Sequence, residues 1–177
     1  MSELVVLLDE DGAPAGTADK AHVHTTCTPL HLAFSCHVID PDGRVLVTRR
    51  ALTKRTWPGV WTNSFCGHPG PGEGLEDAVR RRAAFELGLE LAGISDVLPD
   101  FRYQATDASG IVENEVCPVV VAAPASGSRV QPNPDEVMDH LWVPVPQLLA
   151  AIEAAPWALS PWLVQSGPGL AAAWGAP

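Results

Sequence analysis

The chain has 177 residues, 46% of them hydrophobic, and a formal net charge of -10. These values are typical of one globular domain spanning 1–177, and no apolar run approaches the ~18 residues of a membrane span. The acidic balance argues against a nucleic acid or a membrane as partner, and the N-terminus lacks the basic segment of a signal peptide, so we expect a cytoplasmic protein with reduced cysteines.

The first third of the chain predicts strands joined by short turns. Apolar runs indicate a strand at 4–9 and a stronger one at 30–40. The turn Pro-Asp-Gly-Arg then leads to a hairpin partner at 45–50.

The remainder predicts two helices and two further strands. A helix is expected over about 75–87, with acidic residues in its first turn and Gly88 as its C-terminal stop. A strand at 114–123 and an irregular connection at 125–136 precede a short strand and a short helix. Because no regular βαβ rhythm appears, we expect an α/β (α+β) fold with a mixed β-sheet between helices.

The predicted helix carries two charged residues within its apolar stripe. Arg82 and Glu86 fall on the same side as Val79, Ala83 and Phe85 at ~100° per residue. Ionised groups are rarely buried unless they are paired or bound to a metal. The pattern predicts either an i,i+4 ion pair at the core edge or a carboxylate directed at a metal.

Several residues are candidate metal ligands. Glu113 and Glu115 are two apart in a strand and share a face, where like charges need a cation between them. Together with His24, His31 and His68 they would suit Mn²⁺ or Zn²⁺. Their spacing alone does not show that they converge.

Basic residues are concentrated in one part of the chain, since eight of the 11 lysines and arginines lie between Arg44 and Arg82. In an acidic protein this indicates either a solvated charged face or a site for a small anion.

Residues 67–89 resemble the Nudix box, a motif of enzymes that act on diphosphates. The matching positions are Gly67, Glu73, Arg81, Glu86 and Gly88. Arg82 and Phe85 stand where the box has glutamates that hold Mg²⁺ in Nudix hydrolases. A hydrolase of nucleoside diphosphate derivatives is therefore the alternative function, and these two replacements argue against it.

A closer resemblance is carried by TNSFCGHP (62–69), GIVENEVCP (110–118) and PWALSPWLV (156–164). These segments resemble type 1 isopentenyl diphosphate isomerases, a family with the Nudix fold, and the similarity covers about 16–165. The resemblance implies an isomerase of isoprenoid biosynthesis that interconverts isopentenyl and dimethylallyl diphosphate. It also implies a small prenyl diphosphate as partner, and we expect a monomer or a weak homodimer.

The resemblance implies a role for each of thirteen residues. The ligands of one Mn²⁺ or Zn²⁺ would be His24, His31, His68, Glu113 and Glu115. A Mg²⁺ bound to the substrate would contact Glu86 and the backbone carbonyl of Cys66. The diphosphate would be bound by Lys20, Arg50, Lys54 and Arg82. The acid–base pair would be Cys66 and Glu115, with Tyr103 beside Glu115 and Trp162 over the reacting carbons.

Moving an unactivated double bond requires protonation at one carbon and deprotonation at another, by groups on opposite faces. The residues do not fix which group gives the first proton; we favour a Glu115–Tyr103 relay as donor and Cys66 as acceptor. An indole such as that of Trp162 can stabilise the intermediate cation. The alternatives are an inert buried Cys66, a Trp162 that only fills the core, and a protein that binds prenyl diphosphates or metal without catalysis.

Overall fold

The computed structural model describes residues 3–175. Its first strands are β1 (Leu4–Leu8), β2 (Pro14–Asp19), β3 (His31–Leu32), β4 (Phe34–Val38), β5 (Arg44–Arg50), β6 (Trp61–Thr62) and β7 (Phe65–Gly67). The later strands are β8 (Leu91–Leu98), β9 (Arg102–Thr106), β10 (Val112–Val116), β11 (Val119–Pro124) and β12 (Val137–Pro144). The helices are α1 (Lys20–Val23), α2 (Leu75–Leu87), α3 (Val145–Ala154) and α4 (Pro161–Ala173), with a 3₁₀ turn at Pro156–Ala158.

The strands form three sheets. Their orders are β2-β1-β3-β10-β9, β7-β4-β11-β8 and β12-β5-β6. The first two are mixed, because β10 runs parallel to β3 and β11 runs parallel to β4. The prediction of mixed strand pairing is thus confirmed, but the strands form three sheets and not one.

Two continuous strands of the sequence-based prediction are broken where the chain passes between sheets. The predicted strand 30–40 divides at Ala33, whose N–H donates to Val116 at 2.9 Å. The predicted strand 114–123 divides at Cys117 and Pro118, and the Pro118 carbonyl accepts from the Ser35 N–H at 3.0 Å. This double crossing places the ends of four strands next to one another.

Helices cover both faces of the second sheet. On one face, Phe34 and Phe65 pack with Val79 and Ala83 of α2 in a buried cluster. On the other face, α3 and α4 pack in a second cluster that includes Leu163. The sandwich arrangement follows from the alternating faces of β4.

Helix α2 occupies the residues that the sequence predicts. It ends at Gly88, which has φ 61° and donates its N–H to the Ala84 carbonyl at 3.1 Å. A left-handed residue at this position is readily supplied by glycine. The placement of Phe85 in the apolar stripe is wrong, because its side chain is 53% exposed and covers the Arg82 guanidinium. Within residues 3–175, no helix has the length and hydrophobicity needed to cross a membrane.

Candidate active site

A cavity of about 720 Å³ opens where α1, α2, β7 and β10 meet. Of the thirteen predicted site residues, twelve line it. The thirteenth, His31, is fully buried beside Glu115. The structure therefore brings together residues that are separated by up to 142 positions between Lys20 and Trp162.

Four of the five predicted metal ligands form a compact group. One ligand atom from each of His24, His31, His68 and Glu115 lies within 4.8 Å of the others. Strand pairing sets this arrangement, because Glu115 stands opposite His31 on the parallel strands β10 and β3. The Glu115 Oε1 atom is 3.4 Å from His31 Nε2 and 3.3 Å from His68 Nε2.

The nitrogens of this group are suited to a cation. His31 Nδ1 lies 3.0 Å from the Pro29 carbonyl, which can only accept, so Nδ1 carries a proton and Nε2 is the nitrogen available to a cation. Within residues 3–175, His24 Nε2, His31 Nε2 and His68 Nδ1 are buried without hydrogen-bond partners. Leaving such atoms unsatisfied is costly. Imidazoles with a carboxylate fit a divalent transition metal.

Glu113 lies on the cavity wall but outside this group. Its carboxylate accepts from Thr56 Oγ1 and from the Tyr103 hydroxyl, each at 2.6 Å. Tyr103 pairs with Glu115 in the backbone register, as expected for a neighbour, yet its hydroxyl donates to Glu113. The predicted five-ligand set therefore appears as four grouped ligands and one carboxylate engaged by Thr56 and Tyr103.

Burial and neighbouring charges shift the pKa values of these ligands. Desolvation lowers the pKa of His24 to about 3, so it is a neutral imidazole. Burial alone would raise the pKa of Glu115, but the adjacent imidazoles of His31 and His68 hold it below its ordinary value. Burial and the charge of Glu115 raise the pKa of Glu113.

Cys66 lies on β7 and faces the same cavity as Glu115. Its sulfur is 3.4 Å from the Ser35 hydroxyl and 3.4 Å from the Asn63 amide nitrogen. Desolvation raises the pKa of the Cys66 thiol to about 12, so the thiol keeps its proton.

Trp162 forms another wall of the cavity and is almost fully buried. Its Nε1–H donates to Asn63 Oδ1 at 2.8 Å, and its ring centroid is 5.9 Å from that of Tyr103. The Arg50 guanidinium lies 5.3 Å from the indole centroid. Arg50 thus contacts the indole and also donates to the Thr56 carbonyl at 2.8 Å.

Asn63 is a site residue that the sequence reasoning did not single out. Its amide touches both the Cys66 sulfur and the Trp162 indole, and it donates to the carbonyls of Cys36 and Phe65 at 3.0 and 2.7 Å. The signal was its position inside the segment TNSFCGHP, three residues before Cys66. A fully buried amide that is satisfied on both sides fixes its neighbours in place.

The cations at the other end of the cavity are paired with carboxylates. Lys20 contacts Glu3 at 2.9 Å, Lys54 contacts Glu136, and Arg82 contacts Glu86. The i,i+4 pair expected from the helix pattern is therefore present, and both of its members also line the cavity. Desolvation and the nearby charge of Arg82 lower the pKa of Lys20, which shows that the cations are crowded.

Gly67 permits this crowding. A Cβ atom at Gly67 would lie 2.6 Å from Cγ of Arg82 and 2.8 Å from the ring of Phe34. Both approaches are too close for real atoms, so a side chain here would displace Arg82 from the cavity. The match of Gly67 to the Nudix box thus has a local steric reason.

Comparisons with known proteins identify the family of this chain. The NUDIX domain model matches residues 29–163. An isopentenyl-diphosphate Delta-isomerase of Kocuria rhizophila is 63% identical over 91% of this chain and 88% of its own length. One from Agromyces mediolanus is 66% identical over 92% of this chain and 78% of its own. The chain belongs to the isopentenyl-diphosphate Delta-isomerase family, within the Nudix fold.

Solved structures support the fold of this isomerase family member. DR0079 from Deinococcus radiodurans superposes with a TM-score of 0.71 over 94% of this chain and 98% of its own, at 20% identity. A MutT Nudix hydrolase from Burkholderia pseudomallei gives 0.59 over 80% of this chain and 98% of its own, at 23% identity. At these identities the likeness concerns the fold alone.

Proposed function

We propose that this cavity interconverts isopentenyl diphosphate and dimethylallyl diphosphate through protonation and deprotonation. Family membership makes the chain an isopentenyl-diphosphate Delta-isomerase, an enzyme of isoprenoid biosynthesis. The observation that carries the assignment of the site is that Cys66, Glu115 and Trp162 line one cavity with Lys20 and Arg82.

The charged end of the cavity suits a diphosphate. Lys20, Lys54 and Arg82 lie close together there, and Arg50 lines the same cavity beside Trp162. Ammonium and guanidinium groups form strong charge-assisted hydrogen bonds with phosphate oxygens. Binding at this end holds the hydrocarbon portion of a five-carbon substrate in one place, which lowers the entropic part of the barrier.

The opposite end supplies the acid–base pair. A proton added to the terminal alkene carbon of isopentenyl diphosphate leaves a tertiary cation, and loss of a proton from the neighbouring methylene completes the shift. The formula is unchanged, because one proton is gained and one is lost. Cys66 and Glu115 are the two groups placed to exchange these protons, and Tyr103 supports the carboxylate side through Glu113.

Trp162 protects the cationic intermediate. Its indole is 3% exposed and lines the cavity. An indole face stabilises a dry cation by about 2 kcal/mol or more, and its bulk excludes the water that would capture the cation. The hydrogen bond to Asn63 keeps the ring in this orientation.

The metal-binding groups fit the same scheme. His24, His31, His68 and Glu115, joined by Glu113, would hold Mn²⁺ or Zn²⁺, and Glu86 with the Cys66 carbonyl would contact a Mg²⁺ that accompanies the diphosphate. Such ions supply positive charge that sets the acidity of a ligating carboxylate and neutralises phosphate oxygens. The chain's own part is to orient Glu115 through His31 and His68.

An NMR assay tests the proposal directly. The protein is incubated with isopentenyl diphosphate, Mg²⁺ and Mn²⁺ or Zn²⁺, and the proton spectrum is followed. Dimethylallyl diphosphate is expected to accumulate to equilibrium without release of phosphate or pyrophosphate. Release of phosphate with no allylic product would support the hydrolase alternative.

A further inference from the structure

The connection over 125–136 delivers one carboxylate into the charged end of the cavity. This segment has no helix or strand, and its last residue is Glu136. Glu136 Oε2 contacts Lys54 Nζ and lies 3.6 Å from Arg82 Nη2. A single carboxylate oxygen therefore bridges two of the cations assigned to the diphosphate.

Backbone hydrogen bonds hold Glu136 in this place. The N–H of Asn133 donates to the Glu86 carbonyl at 2.8 Å, and the N–H of Gln131 donates to the Leu87 carbonyl at 2.7 Å. The Glu136 carbonyl accepts from the Ala51 N–H at 2.9 Å. The connection thus satisfies the free carbonyls at the end of α2 and is fastened to the chain that follows β5.

The environment keeps Glu136 ionised. Its side chain is 16% exposed, and it faces Lys54, Arg82 and, farther away, Lys20. Although burial alone would raise the pKa of Glu136, these three cations lower it. Three cations close together repel one another, and the carboxylate offsets that repulsion while the cavity holds no anion.

We infer that Glu136 is an internal counter-anion that competes with the substrate diphosphate for Lys54 and Arg82. This inference rests on the proposed function, because it takes the same two cations as the diphosphate site. When a diphosphate enters, Lys54 and Arg82 exchange the Glu136 oxygen for phosphate oxygens, and the fixed backbone leaves the carboxylate beside the bound anion. Glu136 therefore weakens diphosphate binding and speeds its release.

The experiment measures binding of inorganic pyrophosphate with Mg²⁺ to the full-length, metal-loaded protein by calorimetry. Glu136→Gln keeps the shape of the side chain and removes its charge. The dissociation constant for pyrophosphate is expected to fall about fivefold or more, as is typical of coupling between two competing interactions. In the isomerase assay, KM is expected to fall while kcat does not rise.

Two further variants keep the outcome interpretable. Glu76→Gln removes the same charge from α2, where Glu76 pairs with Arg80 away from the cavity, and its pyrophosphate affinity is expected to equal that of the wild type. Glu136→Asp retains the charge but withdraws it by one methylene, and an intermediate affinity is expected. Damage to the fold would weaken binding, so a gain of affinity cannot arise from it.

The contrary results separate the two proposals. Unchanged or weaker binding in Glu136→Gln, with normal binding in the wild type, would overturn the counter-anion role and leave the diphosphate site standing. An absence of pyrophosphate binding in the wild type itself would overturn the diphosphate site, and the inference with it.

Discussion

His31 and Glu115 stand directly opposite each other on parallel strands, and Nε2 of the first lies 3.4 Å from Oε1 of the second. The other ring nitrogen of His31, Nδ1, lies 3.0 Å from the Pro29 carbonyl, and this contact orients the imidazole. This pair places the grouped metal ligands where β3 and β10 of the first sheet are followed by β4 and β11 of the second.

Metal content should depend on His31. The variant His31→Gln removes the imidazole that faces Glu115, so bound Mn²⁺ or Zn²⁺ is expected to fall at least about tenfold at a fixed free-metal concentration. Elemental analysis after dialysis measures this. The exposed His22, changed to Gln, is the control and should keep wild-type metal content. Full metal loading of His31→Gln would contradict the site.

Removing the metal should also lower stability. A chelator leaves three buried nitrogens of His24, His31 and His68 without partners. We expect a lower melting temperature and loss of isomerase activity, both restored by Mn²⁺ or Zn²⁺ together with Mg²⁺. Differential scanning calorimetry and the NMR assay provide the two readouts. Undiminished activity in protein shown to be free of metal would refute this role.

The thiol of Cys66 should be needed for turnover but not for folding. Cys66→Ala is expected to lower kcat by about 10²- to 10⁴-fold, the usual contribution of a positioned acid or base. Its metal content and circular dichroism should match the wild type. Cys27→Ala, at an exposed cysteine, should retain full activity. Wild-type turnover in Cys66→Ala would remove Cys66 from the mechanism.

The indole of Trp162 should affect the chemical step more than binding. Trp162→Phe keeps an aromatic ring but loses the Nε1–H bond to Asn63 and part of the attraction for a cation. We expect kcat to fall about tenfold with little change in KM. Trp157→Phe, at a tryptophan that is 86% exposed, is the matched control. An unchanged kcat in Trp162→Phe would contradict the role of the indole in the chemical step.

The buried His37 should make stability depend on pH. Desolvation lowers its pKa to about 3, and its ring packs edge-on against Trp174 at 5.2 Å. In the unfolded chain the imidazole takes up a proton near pH 6.5, whereas in the folded chain it does not. The full contribution of His37 to the free energy of unfolding is therefore present above pH 6.5, and it is lost as the pH falls toward 3. At pH 5 the free energy of unfolding is expected to be lower by roughly 2 kcal/mol.

Urea unfolding at pH 7 and pH 5 measures this effect. His37→Leu, which keeps the side chain large and uncharged, should lose less stability between the two pH values than the wild type does. His22→Gln should lose as much as the wild type. An equal pH dependence in His37→Leu would assign the effect to other groups.

Much of the fold could be predicted because local signals agreed with tertiary structure. Helix α2 has acidic residues in its first turn and Gly88 after its last, and its predicted and observed bounds are the same. Strand β5 was found within one residue. Strand β8 was missed because only Leu91 of its eight residues is buried, so the sequence has no clear alternation.

Helix α4 was missed for a different reason. It contains Gly167, Pro168 and Gly169, a combination that predicts a loop. Packing overrides that preference: a Cβ at Gly167 would lie 2.7 Å from Ile152, and one at Gly169 would lie 2.7 Å from Leu98. The glycines let α4 approach α3 and β8 closely, which the sequence alone could not reveal.

The site residues were predicted from the family resemblance, and the structure shows that they lie around one cavity. Two glutamates on the same face of one strand predicted a shared cation. In the structure their surroundings differ: Glu115 faces the histidines, whereas Glu113 accepts hydrogen bonds from Thr56 and Tyr103. The strand register that separates them could not be read from the sequence. Glu136, the carboxylate that Lys54 and Arg82 share, lies 82 positions from Lys54 and had no sequence signal.

Deuterium incorporation tests the central claim most directly. Turnover of isopentenyl diphosphate in D₂O should place deuterium in a methyl group of the dimethylallyl product, because a solvent-exchanged proton is delivered to the alkene across the cavity between Cys66 and Glu115. The same incubation with Cys66→Ala should form labelled product about 10²- to 10⁴-fold more slowly. Allylic product that contains no deuterium, or labelled product formed equally well by Cys66→Ala, would contradict the account.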